Sequence, residues 1–141
     1  MISLSSQYAL QALAHLSIEK RPMLSKEISN DLSISPSYMT KILQTLRQAK
    51  ILKATRGSKG GFEIAIPPSE ITFMKVISLF EDPAEWVKCP FGQMICHGDP
   101  LVICKLHCKW EKISHQFIDF LNASTISAIK KQKGASKKKK A

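Results

Sequence analysis

Four cysteines and one histidine lie close together between residues 89 and 108 of this 141-residue chain. Their spacing is Cys89-x6-Cys96-x7-Cys104-x2-His107-Cys108. Thiolate sulfurs and an imidazole nitrogen are the soft ligands that zinc, copper(I) and iron–sulfur clusters prefer. Zinc modules usually pair their cysteines in short Cys-x2–4-Cys units, and the first two gaps here are both longer. The segment therefore predicts a metal centre and leaves the kind of metal open.

The length and composition of the chain indicate one small domain with an appendage. No apolar run approaches the roughly 20 residues that a membrane-spanning helix needs. The first residues also lack the charged and apolar regions of a secretion signal, so we expect a cytoplasmic protein without a membrane partner. In that compartment, cysteines are metal ligands or reactive thiols more often than disulfides.

Charge is distributed unevenly along the chain. Residues 1–66 hold nine Lys/Arg against four Asp/Glu, whereas residues 67–129 hold five against seven. A basic N-terminal region suits contacts with nucleic-acid phosphates. Residues 130–141 hold seven lysines and no acid, which predicts a disordered tail. The tail either solubilises the chain or acts as a non-specific DNA-binding arm.

The N-terminal part predicts a helix-turn-helix. Apolar residues recur at helical spacing over residues 3–19, and Ser25 is the expected cap of a second helix. Ser35 followed by Pro36 predicts the start of a third helix, which corresponds to the helix that enters the major groove. Its inward positions are Met39, Ile42, Leu43 and Leu46, and its outward positions are Ser37, Tyr38, Thr40, Lys41 and Gln44. Tyr38 either contacts a phosphate or packs between helices.

Two strand-like runs, at residues 51–55 and 62–66, follow this helix and predict a hairpin. The residues between them are basic and rich in glycine, as in the wing of a winged helix. Arg56 is long enough to enter a minor groove. The expected DNA contacts of this wing are Arg56, Ser58, Lys59 and Gly60. The alternative is an ordinary hairpin loop.

The second half predicts an amphipathic helix from Ile71 to Phe80, then a cysteine-bearing loop, and then a long helix from about Cys104. That helix has an aromatic face which we expect to pack on a second copy of the chain. The predicted fold class is mainly α with a small β-hairpin wing. The predicted regions are a DNA-binding module at 1–66, a connecting helix and cluster loop at 67–103, a dimerisation helix at 104–129, and the tail at 130–141.

Several of these motifs together resemble one bacterial family. They are the Tyr8-Ala9-Leu10 helix, the Ser37-Tyr38-Met39 helix, the wing at residues 56–62, the Ile71-Thr72 pair, and the cysteine triplet before Trp110. The chain resembles the winged-helix regulators that include the iron–sulfur cluster regulator IscR and the nitric-oxide-sensing repressor NsrR. The resemblance covers residues 1 to about 129, which is all but the lysine tail.

The resemblance implies a homodimer that binds a palindromic operator in double-stranded DNA and holds an iron–sulfur cluster. A [2Fe–2S] cluster is expected in preference to [4Fe–4S]. By position, three ligands correspond to Cys89, Cys96 and Cys104, and the histidine of the IscR branch corresponds to His107. The nitric-oxide branch instead uses an acid, and Gln7 stands at that position. Cys108 is extra relative to the family, and it is the alternative fourth ligand.

The sequence therefore predicts a dimeric transcription regulator, a repressor, that senses iron, redox state or nitric oxide through its cluster. No catalytic motif is recognisable, so we do not expect an enzyme. Three alternatives remain: a cluster-free sensor that works by thiol oxidation, a regulator with a structural zinc site, and an electron-transfer or cluster-delivery protein.

Overall fold

The computed structural model describes residues 2–90 and 105–130. Its elements are five α-helices, α1 (Leu4–Glu19), α2 (Ser25–Leu32), α3 (Pro36–Gln48), α4 (Phe73–Ile77) and α5 (His107–Ala123), and two strands, β1 (Leu52–Thr55) and β2 (Gly61–Ile64). Short 3₁₀ helices lie at Pro68–Glu70, Pro83–Val87 and Ile126–Ala128. The predicted fold class, mainly helical with a small hairpin, is confirmed.

Helix α1 lies at the centre of the core. Ser3 caps its start, because the Ser3 hydroxyl accepts a hydrogen bond from the backbone N–H of Ser6. It ends at Lys20, whose φ of 53° places the backbone in the left-handed region. The buried residues follow helical spacing, at Ala9, Ala12, Leu13 and Leu16. The predicted helix over residues 3–19 is therefore confirmed to within one residue.

Helices α2 and α3 form the helix-turn-helix. Ser33 turns the chain between them with a φ of 55°, and Pro36 is the first residue of α3, as predicted. The four residues predicted to face inward from α3 are all buried. The capping role predicted for Ser25 is wrong. Leu24 occupies the cap position, and Ser25 is the first helical residue, with its hydroxyl 2.8 Å from that of Thr40.

The wing is an antiparallel hairpin in which Leu52 pairs with Ile64 and Thr55 pairs with Gly61. Strand β2 begins one residue before the predicted run and ends two residues before its end. Phe62 also exchanges two backbone hydrogen bonds with Met23, at 2.9 and 2.8 Å. A Cβ on Gly61 would lie 2.5 Å from the Met23 carbonyl, and Gly61 has a φ of 143°. Only glycine lets β2 approach Met23 this closely.

The second half differs from the prediction in the lengths of its helices. Helix α4 has five residues and is shorter than the predicted helix from Ile71 to Phe80, because Ile71 lies before it in extended backbone. A 3₁₀ helix lies inside the predicted loop. Helix α5 ends at Ala123, short of the predicted residue 129. The chain then turns back, and the Ile126 N–H donates to the Ile71 carbonyl over 3.0 Å.

A single apolar cluster joins these elements. It combines residues of α1, α2, α3 and β1 with Ile71, Val76 and Ile126 from the second half of the chain. Ile126 is fully buried in it, so the segment after α5 helps to complete the core of the N-terminal module. Within residues 2–90 and 105–130, no helix is long and apolar enough to cross a membrane. Of the lysine tail predicted at residues 130–141, all but the first residue lies outside the described residues, so its disorder stays a prediction.

Candidate DNA interface and cysteine site

The outward face of α3 carries most of the predicted DNA contacts. Ser37, Thr40 and Lys41 are exposed, and Gln44 is half-buried. Ser37, Lys41 and Gln44 follow one another at intervals of four and three residues, which places them on one side of the helix. The buried residues Met39 and Leu43 anchor the opposite side in the core. The helix therefore presents a polar stripe that no other part of the described structure covers.

Tyr38 is held between helices. Its hydroxyl lies 2.5 Å from the hydroxyl of Ser5 on α1, and its ring meets the ring of Tyr8 edge-on at a centroid distance of 5.7 Å. Of the two roles that the sequence left open, packing between helices is the one with visible contacts. A DNA contact by the half-buried Tyr38 stays a prediction.

Thr40 joins α3 to α2. Its hydroxyl donates to the Pro36 carbonyl over 2.9 Å and lies 2.8 Å from the Ser25 hydroxyl. With its proton used inside the helix, the hydroxyl has acceptor capacity left for Ser25 or a DNA group. The side chain thus contacts α2 in addition to any contact with a base.

Two exposed polar residues of α3 were not predicted as site residues. Arg47 and Gln48 are exposed in the last turn, and an Arg47 guanidinium N–H donates to the Gln44 side-chain carbonyl over 3.4 Å. Gln48 lies four residues after Gln44 and continues the polar stripe. Extending the helical spacing from Ser37 by one more turn would have found it. We therefore add Arg47 and Gln48 to the candidate DNA-contacting residues.

The tip of the wing projects from the core. Residues 56–59 are exposed, and Gly60 is half-buried. The Gly60 N–H donates to the Gly57 carbonyl over 3.0 Å, which closes a tight turn. A Cβ on Gly60 would lie 2.2 Å from the Thr55 carbonyl oxygen, so this turn requires glycine. The turn leaves Arg56 and Lys59 free to extend toward a DNA backbone or groove.

Cys89 lies close to the start of α5. The indole N–H of Trp110 donates to the carbonyl of Lys88, the residue before Cys89, over 2.9 Å. Trp86 also packs against Phe117 of α5 at a ring-centroid distance of 5.6 Å. His107 is one helical turn before Trp110 on the same helix. The predicted ligands Cys89 and His107 therefore flank one hydrogen-bonded contact.

The described part of the predicted metal site is incomplete. Cys89 is half-buried with a free thiol, and His107 and Cys108 are exposed at the first two positions of α5. The His107 Nε2 atom lies 3.9 Å from a Glu111 carboxylate oxygen. Cys96 and Cys104 lie outside the described residues, and no three His, Cys, Asp or Glu residues within the described ranges form a group that could hold a metal ion.

The donor chemistry nevertheless fits an iron–sulfur cluster. Cysteine thiolates are the usual ligands of such clusters, and histidine imidazoles replace some of them in Rieske centres. Both donor types are present, in Cys89 and His107, on two segments that the Trp110–Lys88 hydrogen bond holds together. The remaining thiolates would come from Cys96 and Cys104. Cys104 lies outside the described residues, and α5 begins three residues after it, at His107.

Helix α5 has an exposed apolar stripe. Ile113 and Phe120 are 58% and 56% exposed, and Leu106, directly before the helix, is 50% exposed. These three residues repeat every seven positions, so they lie along one side of the helix. The adjoining side of the helix packs on the chain itself through Trp110, Phe117 and the fully buried Leu121. The stripe is thus available to a partner.

Comparison with known families and sequences gives a consistent result. The profile of the Rrf2 family, described as iron-dependent transcriptional regulator, matches residues 2–132. An inferred HTH-type transcriptional regulator of Aquifex aeolicus is 30% identical over 124 residues, which cover 87% of this chain and 86% of that protein. The HTH-type transcriptional regulator IscR of Vibrio atlanticus is 28% identical over 127 residues, covering 89% of this chain and 72% of IscR.

Solved structures share the same fold. CymR, the global cysteine regulator of B. subtilis, superposes with a TM-score of 0.71 at 23% identity, covering 90% of this chain and 93% of CymR. The IscR of T. potens superposes with a TM-score of 0.67 at 22% identity, covering 90% and 83% of the two chains. Both matches cover nine tenths of this chain, so the overall fold is shared.

Proposed function

This chain belongs to the Rrf2 family of transcriptional regulators, and on that premise we propose that it is a homodimeric repressor whose DNA binding responds to an iron–sulfur cluster. Its relatives are regulators and not enzymes, as the sequence predicted. The observation that carries the proposal is the Trp110–Lys88 contact. It brings Cys89 and the His107 end of α5 together beside a winged helix with an exposed reading face.

The DNA-reading part of the proposal rests on α3 and the wing. Ser37, Lys41 and Gln44 face outward and would contact base edges and phosphates in the major groove. Arg56 and Lys59 at the exposed wing tip would lie in or beside the minor groove. Phosphate contacts by such basic residues supply much of the affinity and make it depend on salt.

The cluster part of the proposal rests on the donor set. Cys89, Cys96 and Cys104 would supply thiolates, and His107 would be the fourth ligand, with Cys108 as the alternative. Loss or oxidation of a bound cluster would change how the cysteine segment, residues 89–108, is held. The IscR relatives, at 28% identity, support a cluster of this kind. Its nuclearity is expected to be [2Fe–2S].

The homodimer rests on the exposed stripe of α5. A helix that leaves Leu106, Ile113 and Phe120 in water would bury them against the same stripe of a second copy. Such a two-fold arrangement presents two reading helices to a palindromic operator. The dimer would also bring two cysteine sites into one molecule.

One alternative has an observation of its own. Cys108 is exposed and has a free thiol, so it could form a regulatory disulfide with another cysteine in a cluster-free protein. That protein would be colourless, and its DNA affinity would depend on reductant. A zinc site would also give a colourless protein, without a redox response.

The experiment that separates these readings is purification without oxygen, followed by a visible spectrum and by iron, sulfide and zinc analysis of one sample. A brown protein with near-equal iron and sulfide supports the cluster. A colourless protein with bound zinc supports the zinc site. A colourless, metal-free protein that cannot be reconstituted with iron and sulfide supports thiol sensing.

The ligand set is tested by single substitutions. We expect Cys96→Ala to abolish iron and sulfide binding and to leave a folded dimer, because Cys96 is proposed as a cluster ligand and the dimer is proposed to form through α5. Cys108→Ala is the matched control and should keep the cluster if His107 is the fourth ligand. Iron and sulfide content after reconstitution measures both. Full loading of the Cys96 variant would show that the ligand set is wrong.

A further inference from the structure

The Glu81 carboxylate fastens the N-terminus of α1 to the chain that follows α4. Its Oε1 atom accepts a hydrogen bond from the backbone N–H of Ser3 over 2.8 Å and another from the hydroxyl of Ser6 over 2.6 Å. Ser3 and Ser6 are the capping residue and the first buried residue of α1. One carboxylate oxygen thus holds the first turn of this helix.

The hydrogen bonds from Ser3 and Ser6 to Glu81 are strong because their acceptor is a charged carboxylate. Helix α1 has no acidic residue in its own first turn, and the negative charge comes instead from a residue 78 positions away. Burial acts to raise the pKa of Glu81, but the hydrogen bonds from Ser6 and Ser3 outweigh it and lower the pKa below its ordinary value. The residue is therefore a carboxylate at neutral pH, which is the form that accepts both bonds.

The same turn of α1 also contacts α3, the helix proposed to enter the major groove. Ser5 shares a hydrogen bond with the Tyr38 hydroxyl at 2.5 Å, and Tyr8 packs edge-on against the Tyr38 ring. Tyr38 is in the first turn of α3, between the outward residues Ser37 and Thr40. Because a helical turn moves as a unit, a displacement of the start of α1 would reach the start of α3.

On its other side, Glu81 leads directly into the cysteine segment. The Asp82 carboxylate accepts a hydrogen bond from the Ala84 N–H over 2.9 Å and caps the 3₁₀ helix Pro83–Val87. That helix is followed by Lys88, which is bound to Trp110, and by Cys89. The chain from Glu81 to Cys89 is therefore a short, hydrogen-bonded connection and not a loose loop.

We propose that Glu81 is a positioning residue for DNA binding, which couples the cysteine segment to the recognition helix α3 through the first turn of α1. The inference takes the signal at the cysteines and the binding of DNA from the proposed function. The path from Glu81 to α3 rests on the contacts of Ser3, Ser6 and Tyr38. When the cysteine segment changes state, the Glu81 clamp shifts or releases, and α3 changes its pose.

The test compares three variants of the full chain. Glu81→Met removes both acceptors at similar length, and Glu81→Gln keeps a neutral acceptor. Glu70→Met is the matched control, because it removes the same charge from an exposed position before α4. Amide hydrogen exchange of residues 35–39 and affinity for duplex DNA are measured for each, together with thermal unfolding to confirm that each variant is folded.

We expect Glu81→Met to speed exchange at residues 35–39 and to weaken DNA binding at least about fivefold, which corresponds to ~1 kcal/mol. Glu81→Gln should lie between the wild type and Glu81→Met, and Glu70→Met should match the wild type in exchange. Combining Glu81→Met with Ser5→Ala should cost no more affinity than the larger single change, since both break one route. Additive losses, or exchange equal to that of Glu70→Met, would overturn the proposal.

A second measurement uses the signal itself. DNA affinity is compared before and after oxidation with peroxide, which attacks iron–sulfur clusters and exposed thiols alike. Glu81→Met should bring the ratio of the two affinities closer to one than it is in the wild type. A wild type that does not bind duplex DNA, or whose affinity ignores peroxide, would contradict the proposed function. The exchange at residues 35–39 would still decide the role of Glu81.

Discussion

Small hydroxyl side chains make the connections between helices in this protein. Ser3 and Ser6 bind Glu81, Ser5 binds Tyr38, and Ser25 lies against Thr40. Each pair joins two elements that are separate in sequence. A short hydroxyl loses little rotamer freedom on ordering, so it holds a fixed distance between helices at a modest entropic cost. These individual hydroxyl contacts together set the orientation of α3.

The wing arginine gives the first prediction at this scale. Arg56→Ala should weaken operator binding by about 1–3 kcal/mol if Arg56 makes a specific groove contact. Lys75→Ala is the control, because it removes the same charge from an exposed position of α4. Titration of duplex DNA at constant salt measures both variants. Equal affinities would count against the wing as a DNA-contacting element.

Gly61, at the start of β2, gives the second prediction at this scale. Gly61→Ala should lower the free energy of unfolding by about 2 kcal/mol or more, because its Cβ would meet the Met23 carbonyl at 2.5 Å with φ at 143°. Gly57→Ala is the matched change, since Gly57 also has a positive φ of 111° but open space around it. We expect it to cost about 1 kcal/mol. Urea unfolding measures the two, and equal losses would refute the role of the Met23 contact.

At the scale of elements, α5 divides its surface between two tasks. Its packed side contacts the 3₁₀ helix Pro83–Val87 through Phe117 and α4 through the Phe120 ring, and the Trp110 indole holds Lys88. The adjoining side leaves Ile113 and more than half of Phe120 exposed. The helix therefore ties the cysteine segment to the surface proposed for dimerisation. A change at the cysteines would therefore also alter the surface proposed for dimerisation.

Helix α5 gives the third prediction. Ile113→Asp should dissociate the dimer, because burying a carboxylate in an apolar interface costs several kcal/mol. The monomer should stay folded, since Ile113 is 58% exposed in the single chain. Asn122→Asp adds the same charge half a helical circumference away and should remain dimeric. Sedimentation velocity measures the association, and a dimeric Ile113 variant would place the interface elsewhere.

At the scale of the whole molecule, the elements form one unit and not two. Ile126 follows α5 and yet is fully buried in the core that supports α1 and α3. Phe73 N–H also donates to the Ser124 carbonyl over 2.9 Å. Since the DNA-binding module and the segment after α5 share a core, a change in the one can reach the other through packed side chains.

Acid stability is the prediction for the whole molecule. The pKa of Glu81 lies below its ordinary value of 4.5 because the Ser6 and Ser3 hydrogen bonds outweigh burial, and the Arg21 hydrogen bond lowers the pKa of Glu27. A carboxylate with a lowered pKa stabilises the fold above its unfolded pKa, and this contribution is lost as the pH falls through the folded value. The melting temperature should therefore drop as the pH falls below about 4.5.

Glu81→Gln should reduce the fall in melting temperature at low pH, because the amide does not titrate. Its melting temperature should lie below that of the wild type near neutral pH, and the two should converge in acid. Glu70→Gln serves as the control in which the fall is unchanged. A fall in Glu81→Gln as steep as that of the wild type would assign the acid sensitivity to other carboxylates.

Much of the fold was predictable from local patterns. Helical spacing of apolar residues located α1, α2 and α3, and a Ser-Pro pair marked the start of α3, because these signals act within one or two turns. The outward residues of α3 followed from the same period. Element ends were less predictable. Helix α5 stops at Ala123 because the following residues pair with Ile71, a contact across more than fifty positions.

The sequence by itself determined the winged-helix class, the polar face of the reading helix and the kinds of donor in the cysteine segment. Those follow from residue type and spacing, which local geometry converts directly into a helix face or a turn. The tertiary structure alone decided that Tyr38 packs on α1, that Trp110 holds the residue before Cys89, and that Glu81 clamps α1. Each of these joins residues far apart in the chain, and only the packing of the common core brings such residues within hydrogen-bond distance.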